Sequence, residues 1–302
     1  MVMYWQAKRP ALMNLNDEIS IRNPEAGSHM TDQVTQQRIQ ADLQVKASIE
    51  PQYEIEARVD FLCSQMIETG QHALVLGISG GVDSTVAGRL AQLAVEKARD
   101  KGVEARFYAI RLPYGEQKDE DHAQQALMFI TPDEVLDINV KPASDALLAS
   151  LEEGGLTFQD AAQRDFVLGN IKARQRMVAQ YAVAGAKSGL VVGTDQAAEA
   201  LMGFFTKYGD GACDLVPLTG LTKGQVREVG AALGAPAILV EKQPTADLES
   251  LKPQLADEEA LGVTYTEIDA FLTGQQVSEQ AYTTITNTYQ RTDHKRQLPR
   301  MP

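Results

Sequence analysis

The feature that most constrains this chain is a glycine-rich turn between an apolar run and a helical pattern, in the stretch HALVLGISGGVDSTVAGRLAQ from His72 to Gln92. Its centre is Gly77-Ile78-Ser79-Gly80-Gly81-Val82-Asp83-Ser84. Glycines there allow backbone angles that are closed to other residues, so successive N–H groups can point into one concavity. The helix that follows adds the positive end of its dipole. The pattern therefore predicts a phosphate-binding loop.

This loop is not of the Walker A type, which reads GxxxxGK[ST] and places a lysine beside the β and γ phosphates. Asp83 stands where a cation would be expected. A carboxylate next to phosphates is useful if it holds Mg²⁺, which takes one or two carboxylates together with phosphate oxygens. We therefore expect ATP and Mg²⁺ to bind together at this loop.

Strand and helix patterns alternate along the chain, which predicts an α/β fold with a parallel sheet and helices on both faces. The predicted strands are HALVLGI, EARFYAIRL, EVLDINV and GLVVGT. The predicted helices cover Ser84–Arg99, Lys118–Phe129, Pro142 to about Lys187, and DQAAEALMGFF. A further helix precedes the first strand, with Ile55, Val59, Leu62, Cys63, Met66 and Ile67 on its apolar stripe.

The composition changes beyond Phe205, where glycine, proline and acidic residues are frequent. Only two short helices are expected there, around Thr266–Leu272 and Ser278–Arg291. Long irregular segments in compact domains are usually functional or mobile. We expect the segments 207–214 and 243–253 to close over bound substrate.

The first 30 residues have mixed polarity without a clear period, and GSHM at Gly27–Met30 resembles a cloning scar. We therefore expect a disordered or non-native extension over residues 1–30. The remaining residues, 31–302, are expected to form a single domain with C-terminal helices.

Composition excludes several functions. The 28 basic and 41 acidic residues give a net charge of -13, which disfavours nucleic acid and anionic membranes as partners. No run approaches the ~18 apolar residues of a membrane span. The two cysteines, Cys63 and Cys213, form no CxxC motif. These features indicate a soluble protein of a reducing compartment, the cytoplasm, with Cys63 as a buried thiol.

The segment SGGVDS resembles the pyrophosphatase loop of enzymes that split ATP between its α and β phosphates. Such enzymes adenylate a carbonyl or carboxylate oxygen, and a nitrogen or sulfur nucleophile then displaces AMP. Synthetases for NAD, GMP and argininosuccinate share this loop with tRNA-modifying enzymes. The loop alone indicates a reaction class but no substrate.

Further segments resemble the ammonia-dependent NAD synthetases in their order and spacing. They are RLPYGEQ, GNIKARQRM, VVGTDQAAEALMGFFTKYGDGACDLVPL, PTADLE and DHKR, and they extend from about Val59 to Gln297. The resemblance implies a Rossmann-like fold of the adenine nucleotide α-hydrolase type. It also implies a homodimer with deamido-NAD near the subunit interface, for which residues 170–187 are our candidate.

The resemblance also implies a set of site residues. The implied ATP-binding residues are Gly77, Ile78, Ser79, Gly80, Gly81, Val82, Asp83, Ser84, Arg111, Thr194, Lys223 and Thr245. The implied deamido-NAD-binding residues are Arg174, Lys207, Asp214, His294 and Lys295. The implied magnesium ligands are Asp83 and Glu199, and the implied catalytic residues are Asp83, Lys223 and Asp214.

Local sequence agrees with parts of this assignment. Thr194 and Asp195 follow a strand and can cap the next helix, which would put Glu199 on its second turn. Lys223 is expected to replace the lysine that the loop lacks. For Asp214, two roles stay open, since it could orient the substrate or help to deprotonate ammonium.

The implied reaction is the amidation of deamido-NAD with ammonia through an acyl-adenylate, giving NAD, AMP and pyrophosphate as the last step of NAD biosynthesis. Two cysteines in core-like and glycine-rich settings fit no glutamine-hydrolysing domain, so ammonia is free or comes from a separate glutaminase. Two alternatives stay open. One is another amidating or tRNA-modifying ligase with this loop, and the other is an ATP-binding regulator without turnover.

Overall fold

The computed structural model describes residues 35–115, 120–246 and 255–301, and gives only the backbone of 245–246 and 255–256. One compact unit covers Gln36–Pro302, and the fold described below belongs to it. The expected extension over residues 1–30 lies outside the described residues. The domain boundary near residue 31 therefore stays a prediction.

Four parallel strands form the central sheet. They are β1 Ala73–Gly77, β2 Arg106–Arg111, β3 Glu134–Asp137 and β4 Gly189–Val191, in the spatial order β3-β2-β1-β4. In the register, Ala73 lies opposite Arg106 on one side and opposite Gly189 on the other. The chain builds β2 and β3 on one side of β1 and then crosses over to place β4 on the other side. Such a switch in strand order creates a crevice at the carboxyl ends of the strands, where ligands bind.

The helices follow the expected alternation through the first two thirds of the chain. Their bounds are α1 35–42, α2 Pro51–Glu68, α3 Val82–Asp100, α4 Glu120–Ile130, α5 Lys141–Glu153, α6 Ala161–Lys187, α7 Ala197–Met202, α8 Lys223–Ala232, α9 Ala237–Val240, α10 Asp257–Leu261, α11 Tyr265–Leu272, α12 Glu279–Arg291 and α13 Asp293–Arg296. A short antiparallel pair, β5 Thr245–Ala246 and β6 Leu255–Ala256, precedes α10. All strands and helices predicted between residues 51 and 205 are confirmed as elements, with shifts of a few residues at their ends.

Both faces of the sheet are covered, as the sequence predicts. Leu74 and Leu76 of β1 pack into the core that contains α2, α3 and α8, where Cys63 is fully buried. Ala73 and Val75 point to the opposite face and pack with Ala184 of α6. Successive strand residues face opposite sides, so an apolar strand like β1 fits a sheet buried on both faces.

A second apolar cluster joins the C-terminal helices to α1 and α7. Ile268 and Phe271 of α11, Leu201 of α7 and Ile285 of α12 are fully buried in it, and Ile39 of α1 is nearly so. Burying one such side chain contributes roughly 1.5–3 kcal/mol. The cluster therefore stabilises the position of α11, which does not pack against the sheet through this cluster.

Helix α8 is not among the helices that the sequence predicts. Thr222 caps α8, and its hydroxyl accepts the N–H of Gln225 at 3.2 Å while the Gln225 amide oxygen accepts the N–H of Thr222 at 3.1 Å. This reciprocal arrangement is a capping box, and its sequence pattern, T-x-x-Q, is present at Thr222–Gln225. None of the described helices is both long and apolar enough to cross a membrane.

Candidate active site

A cavity of about 780 Å³ opens at the carboxyl ends of the strands, beside the switch between β1 and β4. Its wall includes the glycine loop after β1, Leu112 and Pro113 after β2, and Thr194 after β4. Lys223 at the start of α8 and Asp257 at the start of α10 also line it. Distant parts of the chain thus meet around one space large enough for a small molecule.

The glycine loop is held in a fixed shape. Gly80 has φ +84°, and a Cβ on it would lie 2.7 Å from the backbone nitrogen of Ala123, so only glycine fits. Ser79 Oγ accepts the N–H of Gly81 at 3.2 Å, and Ser84 Oγ accepts the N–H of Ser79 at 3.3 Å. Gln180 of α6 accepts the N–H of Gly77 at 2.8 Å.

The start of α3 is open toward the cavity. Its N-cap is Gly81, and no side chain caps this end. The first N–H groups of a helix have no partner inside the helix, and together with the helix dipole they favour an anion. Val82, Asp83 and Ser84 supply these N–H groups at the cavity wall. The start of α3 is therefore suited to bind a phosphate group.

Lys223 and Asp83 form an ion pair at this site. Lys223 Nζ lies 2.5 Å from Asp83 Oδ2, and the lysine side chain is only 3% exposed. Burial alone lowers the pKa of Lys223, but the negative charges of Asp83 and Glu199 outweigh it and raise that pKa. The lysine that the loop lacks is therefore supplied in its charged form by α8.

Acidic side chains crowd the same corner. Burial, followed by the charge of Asp83, raises the pKa of Glu199 well above its usual range. Burial, with the charges of Asp210 and Asp83, raises the pKa of Asp195 to about 7. Grouped carboxylates raise one another's pKa in this way when no cation compensates them.

The residues present fit a magnesium ion bound together with phosphates. Asp83 Oδ1 is buried without a hydrogen-bond partner among the described residues, so one carboxylate oxygen is available to a cation. No group of three or more His, Cys, Asp or Glu side chains that could hold a metal occurs in the described parts of the chain. Mg²⁺ needs no such group, because phosphate oxygens and water complete its octahedron. Asp83 and Glu199 are the residues that would hold it.

The position of Glu199 corrects the sequence reasoning. Gln196, rather than Thr194 or Asp195, is the N-cap of α7, and its side chain accepts the N–H of Ala198 at 2.6 Å. Glu199 Oε2 accepts the N–H of Gln196 at 3.3 Å, which places Glu199 in the first turn and not the second. Gln196 is the N-cap because it lies three residues before Glu199, the spacing of a capping box.

The structure brings other implied ATP residues to different places. Thr194 lines the cavity. Arg111 ends β2, is 1% exposed and binds both oxygens of Glu120 at 2.7 Å, outside the cavity wall. The side chain of Thr245 and most of the segment 243–253 lie outside the described residues. The roles of Arg111 and Thr245 in ATP binding stay predictions.

Hydrogen bonds link three of the implied dinucleotide-binding residues, and a fourth, Lys295, lies on the cavity wall. Lys207 Nζ donates to the carbonyl of His294 at 2.5 Å, and Arg174 donates to the carbonyl of Lys207 at 3.3 Å. Lys295 Nζ donates to the carbonyls of Gly203 and Phe205, each at 2.7 Å, and lines the cavity. Basic side chains grouped in this way suit phosphate groups.

Asp214 lies elsewhere. Its side chain accepts the backbone N–H of Val191 at 2.7 Å and the hydroxyl of Tyr181 at 3.3 Å, and the cavity wall does not include it. Sequence reasoning missed Asp210, which does line the cavity and accepts the N–H of Thr206 at 2.8 Å. Burial raises the pKa of Asp210. The letters G-D-G around it are a turn signal and do not show where the side chain points.

Neither cysteine is suited to nucleophilic catalysis. Cys63 is fully buried in the core, and burial raises the pKa of the Cys213 thiol to about 12. A reactive cysteine needs a lowered pKa, because the thiolate is the nucleophile. The site therefore relies on binding and charge rather than on a covalent thiol.

These features define an α/β nucleotide-binding protein whose phosphate site is an uncapped helix start beside a buried lysine–carboxylate pair. Comparison with known sequences makes this class more specific, since the model of the NAD synthase family matches residues 54–299. The chain belongs to the NAD synthase family. Its sheet and helices have the adenine nucleotide α-hydrolase type of fold found in that family.

Three relatives show how close the similarity is. The NH(3)-dependent NAD(+) synthetase of Streptomyces coelicolor is 64% identical over 267 residues, which cover 88% of this chain and 97% of that protein. The crystal structure of NAD+ synthetase from Burkholderia pseudomallei matches with a TM-score of 0.78 and 52% identity, covering 89% and 98% of the two chains. NMN synthetase from Francisella tularensis matches with a TM-score of 0.73 and 36% identity, covering 84% and 99%.

Proposed function

We propose that this protein is a ligase that amidates deamido-NAD with ammonia and ATP, giving NAD, AMP and pyrophosphate. The observation that carries the proposal is the open start of α3 next to the Asp83–Lys223 pair, in a chain of the NAD synthase family. The N–H groups and the lysine suit a triphosphate, and the carboxylates suit its metal ion.

The chain's own residues bind and orient the reactants. Backbone N–H groups of the loop hold the phosphates, and Lys223 places positive charge beside them. Bound magnesium, held by Asp83 and Glu199, would neutralise phosphate charge. The nicotinate carboxylate of deamido-NAD attacks the α phosphorus and pyrophosphate leaves. Ammonia then attacks the acyl carbon of the adenylate, and AMP leaves with the former carboxylate oxygen.

Ammonia is mostly protonated at neutral pH, so a group in the cavity must hold ammonium and accept a proton. Asp214 was expected to take this part or to orient the substrate. Asp210 fits it better, because its carboxylate lines the cavity while Asp214 is bound to the edge of β4. The raised pKa of Asp210 makes it a better proton acceptor than an ordinary carboxylate.

We propose that deamido-NAD binds at the basic side chains of Arg174, Lys207, His294 and Lys295.

We further propose a homodimer, with α6 at the subunit interface. Val178 of α6 is 52% exposed and is not part of the cavity wall, so it marks the surface that we propose as the interface. Free ammonia is the proposed nitrogen donor, because both thiols are buried or of raised pKa. The cytoplasmic location stays a prediction.

The similarity to an NMN synthetase raises a second candidate, amidation of the mononucleotide. The same acyl-adenylate chemistry applies, and only the length of the substrate differs. The higher identity to the Streptomyces synthetase, 64% against 36%, favours the dinucleotide.

One assay tests the proposal against its rivals. The purified protein is incubated with ATP, MgCl₂ and ammonium chloride, with deamido-NAD or nicotinate mononucleotide in separate reactions. We expect NAD, AMP and pyrophosphate in equal amounts with deamido-NAD, and less than a tenth of that rate with the mononucleotide. Release of ADP, or of AMP without either nucleotide, would contradict the proposal. ATP binding without any product would favour a regulator.

A further inference from the structure

One face of α11 points at the start of α8. Tyr265 and Asp269 are four residues apart, so they lie on the same face, one helical turn from each other. Both contact Lys223, the first residue of α8. Helix α11 is thus linked to the phosphate site through Lys223.

Asp269 holds the backbone of Lys223. Its Oδ1 accepts the N–H of Lys223 at 3.2 Å, and its Oδ2 accepts the N–H of Gly224 at 2.6 Å. A Cβ on Gly224 would lie 2.9 Å from Oδ2, so the carboxylate sits where a side chain would otherwise be. With Thr222 on the N–H of Gln225, the first three N–H groups of α8 all have partners. The start of α8 is closed, in contrast to the start of α3.

Tyr265 holds the other end of the same residue. Its ring centroid lies 5.1 Å from Lys223 Nζ, within the range of a cation–π contact. Tyr265 is 5% exposed, and its hydroxyl donates to Asp257 Oδ2 at 3.0 Å, which fixes the plane of the ring. Lys223 Nζ is therefore bounded by the ring on one side and by Asp83 on the other.

The support behind these two residues is rigid. Ile268, Phe271 and Leu272 of α11 are buried in the second apolar cluster. Functional side chains on packed helices are held more accurately than those on loops. The flexible lysine chain, by itself, has three or more rotatable bonds that would spread its ammonium group over several positions.

We propose that Tyr265 and Asp269 are positioning residues for Lys223, which hold its ammonium group where the phosphates of ATP bind. The inference rests on the proposed function, since it takes Lys223 as a phosphate-binding lysine. The cavity wall includes Lys223 but neither Tyr265 nor Asp269, so we expect each of them to act on ATP binding through Lys223. This dependence gives the inference a test that a general role in folding would fail.

The test is a double-mutant cycle with Lys223→Ala. Asp269→Asn and Tyr265→Leu are made alone and together with Lys223→Ala, and kcat/KM for ATP is measured by AMP formation, with ATP affinity by calorimetry. Each single substitution is expected to lower kcat/KM for ATP by roughly ten- to hundredfold, since small misplacements cost that much. In the Lys223→Ala background each is expected to add less than about twofold, because interacting residues are not additive.

Two controls separate positioning from stability. Asp160→Asn removes an equivalent carboxylate that accepts the N–H of Gln163 at the start of α6, and it should leave kcat/KM unchanged. Tyr265→Phe keeps the ring and loses only the hydroxyl, so it should recover most of the activity lost in Tyr265→Leu. If Asp269→Asn does not fold, Gly224→Ala displaces the same carboxylate and is expected to give the same non-additive loss.

Fully additive losses, or single variants with unchanged kcat/KM and ATP affinity, would overturn the inference. So would a Lys223→Ala variant that binds ATP as well as the parent protein. Failure of the proposed function is a different result, because the parent protein would then form no AMP with deamido-NAD and ammonia. The calorimetric cycle would still decide whether Tyr265 and Asp269 act through Lys223.

Discussion

At the scale of single residues, the phosphate-binding lysine and its loop come from opposite halves of the chain. Lys223 lies 140 positions after Asp83, and the two side chains meet at 2.5 Å. The type of each residue and its likeness to a family motif predicted that both belong to the ATP site. The ion pair between them could not be predicted, because it depends on how α8 packs against α3.

The two aspartates Asp210 and Asp214 give a matched pair for a prediction. Asp210→Asn keeps an oxygen that can accept the N–H of Thr206 but loses the charge in the cavity. We expect it to raise KM for ammonium or lower kcat by roughly a hundredfold, the usual effect of losing a general base. Asp214→Asn should change both by less than threefold. Steady-state kinetics with ammonium as the varied substrate measures both effects. A larger loss in Asp214→Asn than in Asp210→Asn would indicate that Asp214 is the proton acceptor.

At the scale of elements, two helices begin at the site, and one start is uncapped while the other is capped. The start of α3 has Gly81 as its N-cap and no capping side chain, whereas the start of α8 is closed by Thr222 and Asp269. An uncapped helix start costs stability, since a capping side chain usually stabilises a helix by 0.5–2 kcal/mol. We propose that the open start of α3 is kept free for an anion.

A capping side chain at Gly81 tests this view. Gly81 has φ -80°, and an added Cβ would meet only Ser79 Oγ at 3.4 Å, so other residues fit. Gly81→Asp is expected to maintain or raise the melting temperature while increasing KM for ATP more than tenfold, because its carboxylate competes with phosphate and repels it. Gly81→Ala, which adds no charge, should increase KM far less. Equal effects of the two substitutions on KM would contradict the account.

The sequence predicted β1, α3 and the alternation that follows because their apolar patterns are long and regular. It did not predict α8, although the capping box of Thr222 and Gln225 is present in the sequence. The two-residue strands β5 and β6 are too short for any periodic pattern. Glu199 was placed one turn too far along because the choice between Asp195 and Gln196 as cap depends on a side-chain hydrogen bond.

At the scale of the whole molecule, we propose that a second copy of the chain covers the exposed apolar side chains of α6. The family resemblance implies a homodimer, and residues 170–187 are our own candidate for its interface. Val178 lies in that range with 52% of its surface exposed. The assembly itself cannot be predicted from one chain's periodicity, because exposure depends on how α5 and α6 pack.

We expect a solution mass of twice the 32.9 kDa chain. Val178→Asp should shift the protein toward the monomer at micromolar concentration, because it places a charge in the interface. Ile238→Asp on α9 is the matched control, since Ile238 is also 52% exposed, and it should leave the mass unchanged. Sedimentation velocity gives both answers. A monomeric parent protein, or dissociation by Ile238→Asp alone, would contradict an α6 interface.

The central claim is that the open start of α3, with Asp83 and Lys223, presents the α phosphorus of ATP to a substrate carboxylate. Deamido-NAD labelled with ¹⁸O in its nicotinate carboxylate tests it most directly, with the AMP analysed by mass spectrometry. We predict one labelled oxygen in AMP and one in the new amide of NAD. Unlabelled AMP, or ADP formed with label in inorganic phosphate, would contradict the claim.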